Sequence, residues 1–287
     1  MNTSLKDLIT QSVVVAPGTH DGFSALLGQR STFPALYVSG YCVAASRFGL
    51  PDAGLIGLAE MLEAIRLVGR CSSKPIIADA DTGYGGLLNV QHTVREYEAA
   101  GASAIQLEDQ EMPKKCGHTK GKRVVALDDM VAKVAVAVQA RRSDNFLVIA
   151  RTDTLATHGF EEALRRCSAY REAGADVVFV DAMETEAQMR QLGAMFPKAC
   201  MVNVTPAKHF MTPQISTKQL NEMGFAIAIF PGLLAVPAMA AMERSLQYLA
   251  DNGISDPNAM PATSPHELVG FPAVWADEER WQQRFGG

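Results

Sequence analysis

Residues 75–86 read Pro-Ile-Ile-Ala-Asp-Ala-Asp-Thr-Gly-Tyr-Gly-Gly, an apolar run that ends in two carboxylates and a glycine-rich turn. A short apolar run between turn signals is typical of a strand buried on both faces of a parallel sheet. Seven more runs end in the same way, at residues 13–15, 35–39, 104–108, 146–150, 177–181, 200–204 and 225–230. Each apolar run is therefore a candidate strand.

Helical periodicity fills the stretches between the candidate strands. The pattern is clearest at the apolar positions Leu58, Met61, Leu62, Ile65 and Val68, which recur at steps of three and four. Alternating strands and helices indicate right-handed crossovers in a parallel sheet, and eight such units are the number that closes a barrel. The sequence predicts an α/β fold, a (β/α)8 or TIM barrel.

Length and composition limit the classes of protein to which the chain can belong. The chain has 287 residues, and 26 basic against 31 acidic side chains give a net charge of 26 − 31 = −5. This balance excludes a nucleic-acid binder held by bulk positive charge, and 48% hydrophobic residues exclude a disordered chain. The length permits two domains or one barrel. Because no linker or composition break precedes residue 250, we expect a catalytic barrel over residues 1–250 and a C-terminal extension over 251–287.

The uncharged stretch at residues 224–242 tests the expectation of a protein without a membrane span. Its length reaches the minimum for a transmembrane helix, but Pro231, Gly232 and Pro237 interrupt it. A buried strand, a turn and a helix from about Leu233 are favoured instead. The five cysteines are odd in number and widely spaced, which fits a reducing compartment, and we expect a cytoplasmic protein.

Polar side chains recur where the candidate strands end, which is the active-site end of a parallel barrel. They are Ser39, Gly40, Asp79, Asp81, Glu108, Asp109, Arg151, Asp153, Asp181, Asn203 and Thr205. Salt bridges within the barrel could explain single members of this set, but hardly all of them. The carboxylates of Asp79, Asp81, Glu108 and Asp109 would repel one another without a cation, so the sequence favours a site for Mg²⁺ or Mn²⁺.

A basic stretch follows the acidic strand end at residue 108. Residues 114–123 read Lys-Lys-Cys-Gly-His-Thr-Lys-Gly-Lys-Arg, with five lysines and arginines in ten residues. A solvated charged loop is the alternative interpretation. A thiol among these cations should have a lowered pKa, which makes Cys116 a candidate acid, base or nucleophile. The cations could also bind a dianionic substrate, and Arg151 could hold a carboxylate or instead pair with the neighbouring acids.

These segments resemble, in order and spacing, the isocitrate lyase and phosphoenolpyruvate mutase superfamily over about residues 10 to 250. The segments that carry the resemblance are residues 37–41, 79–85, 108–110, 114–118 and 151–153. The Lys-Lys-Cys-Gly-His segment is similar to the lyase branch of the superfamily. The resemblance implies a TIM barrel whose last helix is swapped between subunits, a homotetramer built as a dimer of helix-swapped dimers, and Mg²⁺.

The resemblance also implies a role for each matching residue. Asp79 matches the direct metal ligand, and Tyr37 the proposed catalytic base. Asp52, Asp81 and Glu108 match the water-mediated metal shell, and Cys116 and Gly117 match the gating loop. The expected substrate-binding residues are Ser39, Gly40, Tyr41, Gly117, His118, Arg151, Asp181, Asn203, Thr205 and Pro237.

In the reaction that the resemblance implies, a 2-hydroxydicarboxylate chelates Mg²⁺ and loses its hydroxyl proton to Tyr37 or to a metal-bound water. The carbon–carbon bond then breaks, and Cys116 protonates the resulting enolate on the closed loop. The implied partner is a small-molecule substrate, with no nucleic acid and no membrane.

Two positions depart from the methylisocitrate lyases of the superfamily. Asp181 replaces a usual glutamate, and Pro237 stands about where those enzymes carry an arginine for a third carboxylate. The departures favour a 2-alkylmalate, most of all 2,3-dimethylmalate, as in the dimethylmalate lyases and petal death proteins. Methylisocitrate lyase, oxaloacetate hydrolase and a phosphonate-processing relative stay open, as does a non-catalytic binding barrel, although Pro237 speaks weakly against the hydrolase.

Overall fold

A closed barrel of parallel strands forms the first part of the chain in the computed structural model, which describes residues 3–117, 119, 121–205 and 213–286. The strands follow one another around the barrel in chain order, and β1 pairs with β8 to close it. Their bounds are β1 Val14–Thr19, β2 Leu36–Val38, β3 Ile76–Asp79, β4 Ala104–Glu108, β5 Leu147–Thr152, β6 Val177–Val180, β7 Cys200–Asn203 and β8 Ile227–Phe230.

Helices alternate with the strands and continue after the last one. Within the described residues their bounds are α1 Leu5–Gln11, α2 Gly22–Arg30, α3 Gly40–Phe48, α4 Leu58–Cys71, α5 Leu87–Ala99, α6 Leu127–Ala140, α7 Leu155–His158, α8 Phe160–Glu172, α9 Glu186–Met195, α10 Thr217–Glu222, α11 Ala235–Asn252, α12 Pro265–Leu268 and α13 Phe271–Phe285. The predicted (β/α)8 fold is confirmed.

Strand alternation divides the apolar side chains between two cores. In β3, Ile77 points into the barrel interior, whereas Ile76 and Ala78 pack between the sheet and the helices. The interior set also includes Tyr37 and Phe179. The next inward position along each strand therefore lies at the carboxyl-end mouth of the barrel, which determines where the site forms.

The helix ends before β4 and β6 are each followed by a glycine with positive φ. Gly101 has φ 99° and Gly174 has φ 101°, a left-handed region that glycine adopts without strain. The helix from Leu58 is confirmed as α4. The helix after β8 starts at Ala235, two residues after the predicted start at about Leu233.

The described chain divides into two compact units, one up to Ala235 and one from Val236. The second unit contains almost all of α11, together with α12 and α13. The predicted division at residue 250, near the end of α11 at Asn252, stays a prediction, and so does the exchange of a helix between subunits. Among the described residues, no helix is both long and apolar enough to cross a membrane.

Candidate active site

The site lies where the inward positions of the strands reach the mouth of the barrel. Following the interior residues Ile77, Ala104, Ile149 and Phe179 in steps of two leads to the strand-end side chains. The strand-end side chains reached in this way are Asp79 on β3, Glu108 on β4, Arg151 on β5 and Asp181 after β6, and all four are buried. The structure thus gathers four residues that are far apart in sequence.

The acidic side of the site is built around one ammonium group. Lys114 Nζ lies 2.6 Å from Asp81 Oδ1 and also contacts Asp52 Oδ1, and all three side chains are more than 90% buried. Asp79 accepts hydrogen bonds from the backbone N–H of Asp81 (3.3 Å) and of Gly40 (3.3 Å). A Cβ at Gly40 would lie 3.1 Å from Asp79 Oδ2, so a side chain there would crowd the carboxylate.

The acidic side has more carboxylates than cations, and the pKa values of its groups are shifted. Burial raises the pKa of Asp81 to about 7, although Lys114 opposes the shift, and burial also raises the pKa values of Asp79 and Glu108. The same carboxylates raise the pKa of the Lys114 ammonium, against the effect of its own burial. One ammonium therefore does not neutralise the group.

The donor atoms of this group fit Mg²⁺. They are carboxylate oxygens, and Glu108 Oε1 is buried without a hydrogen-bond partner. Within the described part of the chain, no three acidic, histidine or cysteine side chains converge as a ready coordination set. Magnesium usually keeps several waters and uses one or two carboxylates, so such a convergence is not required. Asp79 as the direct ligand, with Asp52, Asp81 and Glu108 around it, stays a prediction.

A buried glutamine links Tyr37 to this acidic side. The Tyr37 hydroxyl donates to Gln106 Oε1 at 3.1 Å, and Gln106 Nε2 donates to Asp79 Oδ1 at 3.2 Å. Burial, reinforced by Asp79, raises the pKa of Tyr37 well above its usual range. The phenol is thus held as a neutral hydrogen-bond donor in this arrangement.

The opposite side of the site centres on Arg151. Its guanidinium binds both oxygens of Asp153, with Nε at 2.8 Å and Nη2 at 3.0 Å, and Nη2 also lies 3.0 Å from Asp181 Oδ2. Nε is 3.3 Å from Glu108 Oε2, and the guanidinium carbon lies 5.4 Å from the centre of the Phe179 ring. The structure shows Arg151 paired with the neighbouring acids, and its binding of a substrate carboxylate stays a prediction.

The segment that carries Cys116 is docked over both sides. The Cys116 N–H donates to the Asp52 carbonyl at 3.0 Å, and Gln110 binds the N–H and the carbonyl of Lys115 at 3.0 and 2.8 Å. A Cβ at Gly117 would lie 1.6 Å from Asp181 Oδ2, so only glycine allows this approach. Residues 116 and 117 therefore lie between Asp52 and the pair of Arg151 and Asp181.

The predicted substrate-carboxylate loop begins α3. Ser39 is the N-cap of that helix, with its Oγ accepting from the Cys42 N–H at 3.3 Å. Gly40 is buried beside Asp79, and Tyr41 is 46% exposed. The N–H groups of Gly40 and Cys42 are already used by Asp79 and Ser39, whereas the positive dipole end of the helix favours an anion. The substrate-binding role of this loop stays a prediction.

The remaining predicted residues lie at the end of β7, in the second unit or outside the described residues. Asn203 is the last residue of β7, and the hydroxyl of Thr205, two residues on, donates to Asn203 Oδ1 at 2.7 Å. Pro237 lies in α11 of the second unit, and His118 lies outside the described residues. Their binding roles stay predictions.

The prediction that Asp109 joins the acidic group is wrong. Asp109 follows Glu108 in the strand, so alternation directs it to the opposite face of the sheet. There its carboxylate accepts from Tyr170 (2.8 Å) and Thr152 (2.7 Å) and pairs with Arg166 (2.9 Å). Asp109 thus ties β5 and α8 together behind the site.

The residue-based interpretation missed three groups of the site. Lys114 and Lys122 were treated as cations that could meet the substrate, yet both are buried on the protein's own carboxylates. Gln106 was overlooked, although a polar residue in the apolar run 104–108, two positions before Glu108, was a visible signal. The partners of the lysines carry no local signal because they come from other strands.

An α/β barrel with a group of buried carboxylates facing a buried arginine at its mouth is typical of an enzyme that acts on a small molecule. More specifically, the chain belongs to the phosphoenolpyruvate phosphomutase family, whose model matches residues 5–250. The predicted superfamily, which unites phosphoenolpyruvate mutases and isocitrate lyases, is confirmed.

Relatives of known activity cover most of the chain. 2,3-Dimethylmalate lyase of Eubacterium barkeri is 42% identical over 245 residues, 84% of each chain. 2-Methylisocitrate lyase of Aeropyrum pernix is 42% identical over 271 residues, 93% of this chain and 86% of the relative. Petal death protein of Dianthus caryophyllus is 39% identical over 274 residues, 94% of this chain and 85% of its own.

Solved structures agree over nearly the whole length. Oxaloacetate acetylhydrolase in complex with 3,3-difluorooxalacetate superposes with a TM-score of 0.90 at 32% identity, covering 100% of this chain and 97% of its own. 2,3-Dimethylmalate lyase in its trigonal crystal form gives 0.88 at 36% identity, covering 98% and 96%. Phosphonopyruvate hydrolase in complex with oxalate and Mg²⁺ gives 0.82 at 29% identity, covering 96% and 95%.

Proposed function

We propose that the chain is a Mg²⁺-dependent carbon–carbon lyase that cleaves 2,3-dimethylmalate to pyruvate and propanoate. The observation that carries the proposal is the docking of one segment onto both halves of the site. Cys116 is bonded to Asp52 on the acidic side, and its neighbour Gly117 packs on Arg151 and Asp181. A substrate between the two halves would meet a cation site, a guanidinium and a thiol together.

The proposed reaction moves one electron pair and two protons. Bound Mg²⁺ would draw electron density from the substrate hydroxyl and lower its pKa. The hydroxyl proton leaves to a base, the C2–C3 bond breaks, and its electron pair passes to the carboxylate on C3 as an enolate. Arg151 stabilises that negative charge. The Cys116 Sγ–H then donates its proton to C3 and yields propanoate.

Tyr37 is the proposed base, and this role requires that its hydroxyl first be deprotonated. The phenol has a raised pKa and donates to Gln106, so it can accept the hydroxyl proton only when its own proton has left. A cation beside Asp79 would favour the phenolate, because opposite charge stabilises the ionised form. Tyr37→Phe should abolish turnover, and retained turnover would assign proton removal to a water.

The choice of a 2-alkylmalate rests on two positions. Asp181 has a shorter side chain than the glutamate usual in the methylisocitrate lyases, and its Oδ1 is buried without a hydrogen-bond partner. Pro237 stands where those enzymes carry a cation, and a third carboxylate without a partner would be costly to bury. The identity to the dimethylmalate lyase, 42%, points the same way but equals that to one methylisocitrate lyase.

We further propose that the enzyme is a homotetramer built from helix-swapped dimers. The apolar side chains of α11 recur at steps of three and four on one face and are 44–69% exposed, at Val236, Met239, Met242, Leu246 and Leu249. An exposed apolar face of this kind marks an interaction surface. Leu246→Asp should shift the mass in light scattering from four chains towards one or two, whereas Gln247→Asp should leave it unchanged.

The expected cytoplasmic location rests on the cysteines. All five are free thiols, three of them buried. A reducing compartment keeps such thiols in that state.

The first experiment is a panel of substrates with Mg²⁺ or with excess EDTA. Pyruvate and glyoxylate are detected through a coupled dehydrogenase, and oxalate is measured separately. Mg²⁺-dependent pyruvate from 2,3-dimethylmalate supports the proposal. Turnover of methylisocitrate alone, or of oxaloacetate to oxalate and acetate alone, would replace the substrate and keep the family. The hydrolase is included because a solved oxaloacetate acetylhydrolase superposes so well.

A further inference from the structure

A second buried lysine holds the segment that carries Cys116. Lys122 Nζ lies 2.9 Å from Asp153 Oδ1 and also donates to the Gly117 carbonyl oxygen. The Lys122 side chain is 2% exposed and that of Asp153 is fully buried. One ammonium thus joins the docked segment to a strand-end carboxylate that lies beneath it.

The carboxylate that Lys122 meets is the principal partner of Arg151. Asp153 Oδ1 accepts from Arg151 Nη2 at 3.0 Å as well as from Lys122, so both cations share one oxygen atom. Lys122 thus adds a second positive charge beside the carboxylate that Arg151 binds. Docking of the segment therefore makes the surroundings of Arg151 more positive.

We infer that Lys122 is a positioning residue that locks the Cys116 segment in its docked position and, through Asp153, strengthens the positive potential that Arg151 presents to the substrate. The inference rests on the proposed function for its catalytic consequence. The docking itself is independent of which substrate is cleaved.

Two features separate this role from the simpler alternatives. A cation that binds substrate would point into the mouth, whereas the Lys122 ammonium is used by Gly117 and Asp153. A cation that only solubilises the loop would be exposed, as is its neighbour Arg123, which pairs with Glu111 and is 73% exposed. Arg123 therefore offers a matched control one residue away.

Hydrogen exchange of the Cys116 amide tests the lock without any turnover. This amide is bonded to the Asp52 carbonyl only while the segment is docked. In Lys122→Met we expect it to exchange about tenfold faster than in the wild type, because a buried ion pair and a hydrogen bond are lost. Lys122→Arg should recover most of the protection, and Arg123→Met should exchange as the wild type does. Unchanged exchange in Lys122→Met overturns the inference.

A second variant tests the docking of the segment in case Lys122→Met does not fold. Gly117→Ala changes no charge, but its Cβ would overlap Asp181, so it should undock the segment and accelerate Cys116 exchange in the same way. Unchanged protection of the Cys116 amide in both variants would also contradict the proposed role of Lys122. Thermal unfolding of each variant shows whether the barrel itself is intact.

Kinetics test the link to Arg151. With the best substrate of the panel, Lys122→Met should lower kcat about tenfold or more and change KM less, since the lock acts on Cys116 and Arg151 in the reacting complex. A rise in KM with normal kcat would mean that Lys122 serves binding only and overturns the inference. If the wild type turns over nothing in the panel while exchange responds as expected, the proposed function fails and the lock stands.

Discussion

Lys114 and Lys122 stand on either side of Cys116, and each is buried against the carboxylate of a strand end, yet the two surroundings differ in charge balance. Lys114 meets Asp52 and Asp81 in a group with more acids than cations, where burial raises the pKa of Asp81 to about 7. Lys122 meets Asp153, which Arg151 also binds.

The second surroundings place two cations on one carboxylate, that of Asp153. Although burial favours the neutral acid, Arg151 and Lys122 together lower the pKa of Asp153 to about 2. The difference teaches how one loop can serve two purposes. On the acidic side, Lys114 is outnumbered by carboxylates, and a divalent cation could balance their charge. On the arginine side, Lys122 shares Asp153 with Arg151.

The sharpest way to break the comparison is to remove a carboxylate from the acidic side. Asp79→Asn keeps the shape but loses the charge of the proposed direct ligand. We expect kcat/KM to fall roughly a thousandfold or more, because metal catalysis supplies several kcal/mol and each 1.4 kcal/mol is about tenfold. The assay is run with Mg²⁺ and with EDTA, and calorimetry follows Mg²⁺ binding.

The exposed Asp128→Asn is the matched control and should behave as the wild type. Full activity of Asp79→Asn in EDTA would show that the acidic side needs no cation, and the contrast between the two surroundings would lose its functional meaning.

On the arginine side, a positive charge without the planar guanidinium should not support full turnover. Arg151→Lys keeps the cation but cannot bind Asp153 through two nitrogens and still reach Asp181. We expect kcat to fall about a hundredfold, the scale at which one preorganised donor to a developing anion acts. Arg165→Lys, at an exposed surface pair with Glu162, should change little. A wild-type kcat for Arg151→Lys would contradict a bidentate role.

Cys116 lies between the two lysines and tests what they hold in place. Cys116→Ser should lose about a hundredfold or more in kcat, because proton transfer by a positioned group contributes on that scale and the hydroxyl is a weaker acid. Mg²⁺ affinity should stay the same, since the acidic side is untouched. Cys71→Ser, at the end of α4, is the control. Near-normal turnover would remove Cys116 from the role of proton donor.

The sequence predicted the fold because the signals for it are local. Eight apolar runs with polar ends and the alternation within each run suffice to place Asp79, Glu108 and Arg151 at one mouth. The same alternation within the run 104–108 separates Asp109 from the acidic group and singles out Gln106. A count of acids alone does not assign them to the two faces of the sheet.

The pairings of the lysines could not be predicted in this way. Lys114 bonds to Asp52, and Lys122 to Asp153, across 62 and 31 residues. From composition, a stretch with five cations in ten residues favours a solvated loop or a site for an anionic substrate. Whether a given lysine is buried depends on how the loop returns over the strand ends, and that is a property of the tertiary structure.

The smallest expected effect is on the free energy of unfolding. The test compares the wild type with Asp153→Asn as the pH is lowered. The folded pKa of Asp153, about 2, lies below its usual value of 3.8, so its ion pairs stabilise the fold fully above about pH 4, and that contribution is lost as the pH falls through 2. The shift from 3.8 to about 2 corresponds to about 2 kcal/mol. Urea unfolding between pH 2 and 7 should therefore show wild type and Asp153→Asn converging at low pH and separating above pH 4. A constant difference over the whole range would mean that packing at this position, and not the charge shared by Arg151 and Lys122, stabilises the network.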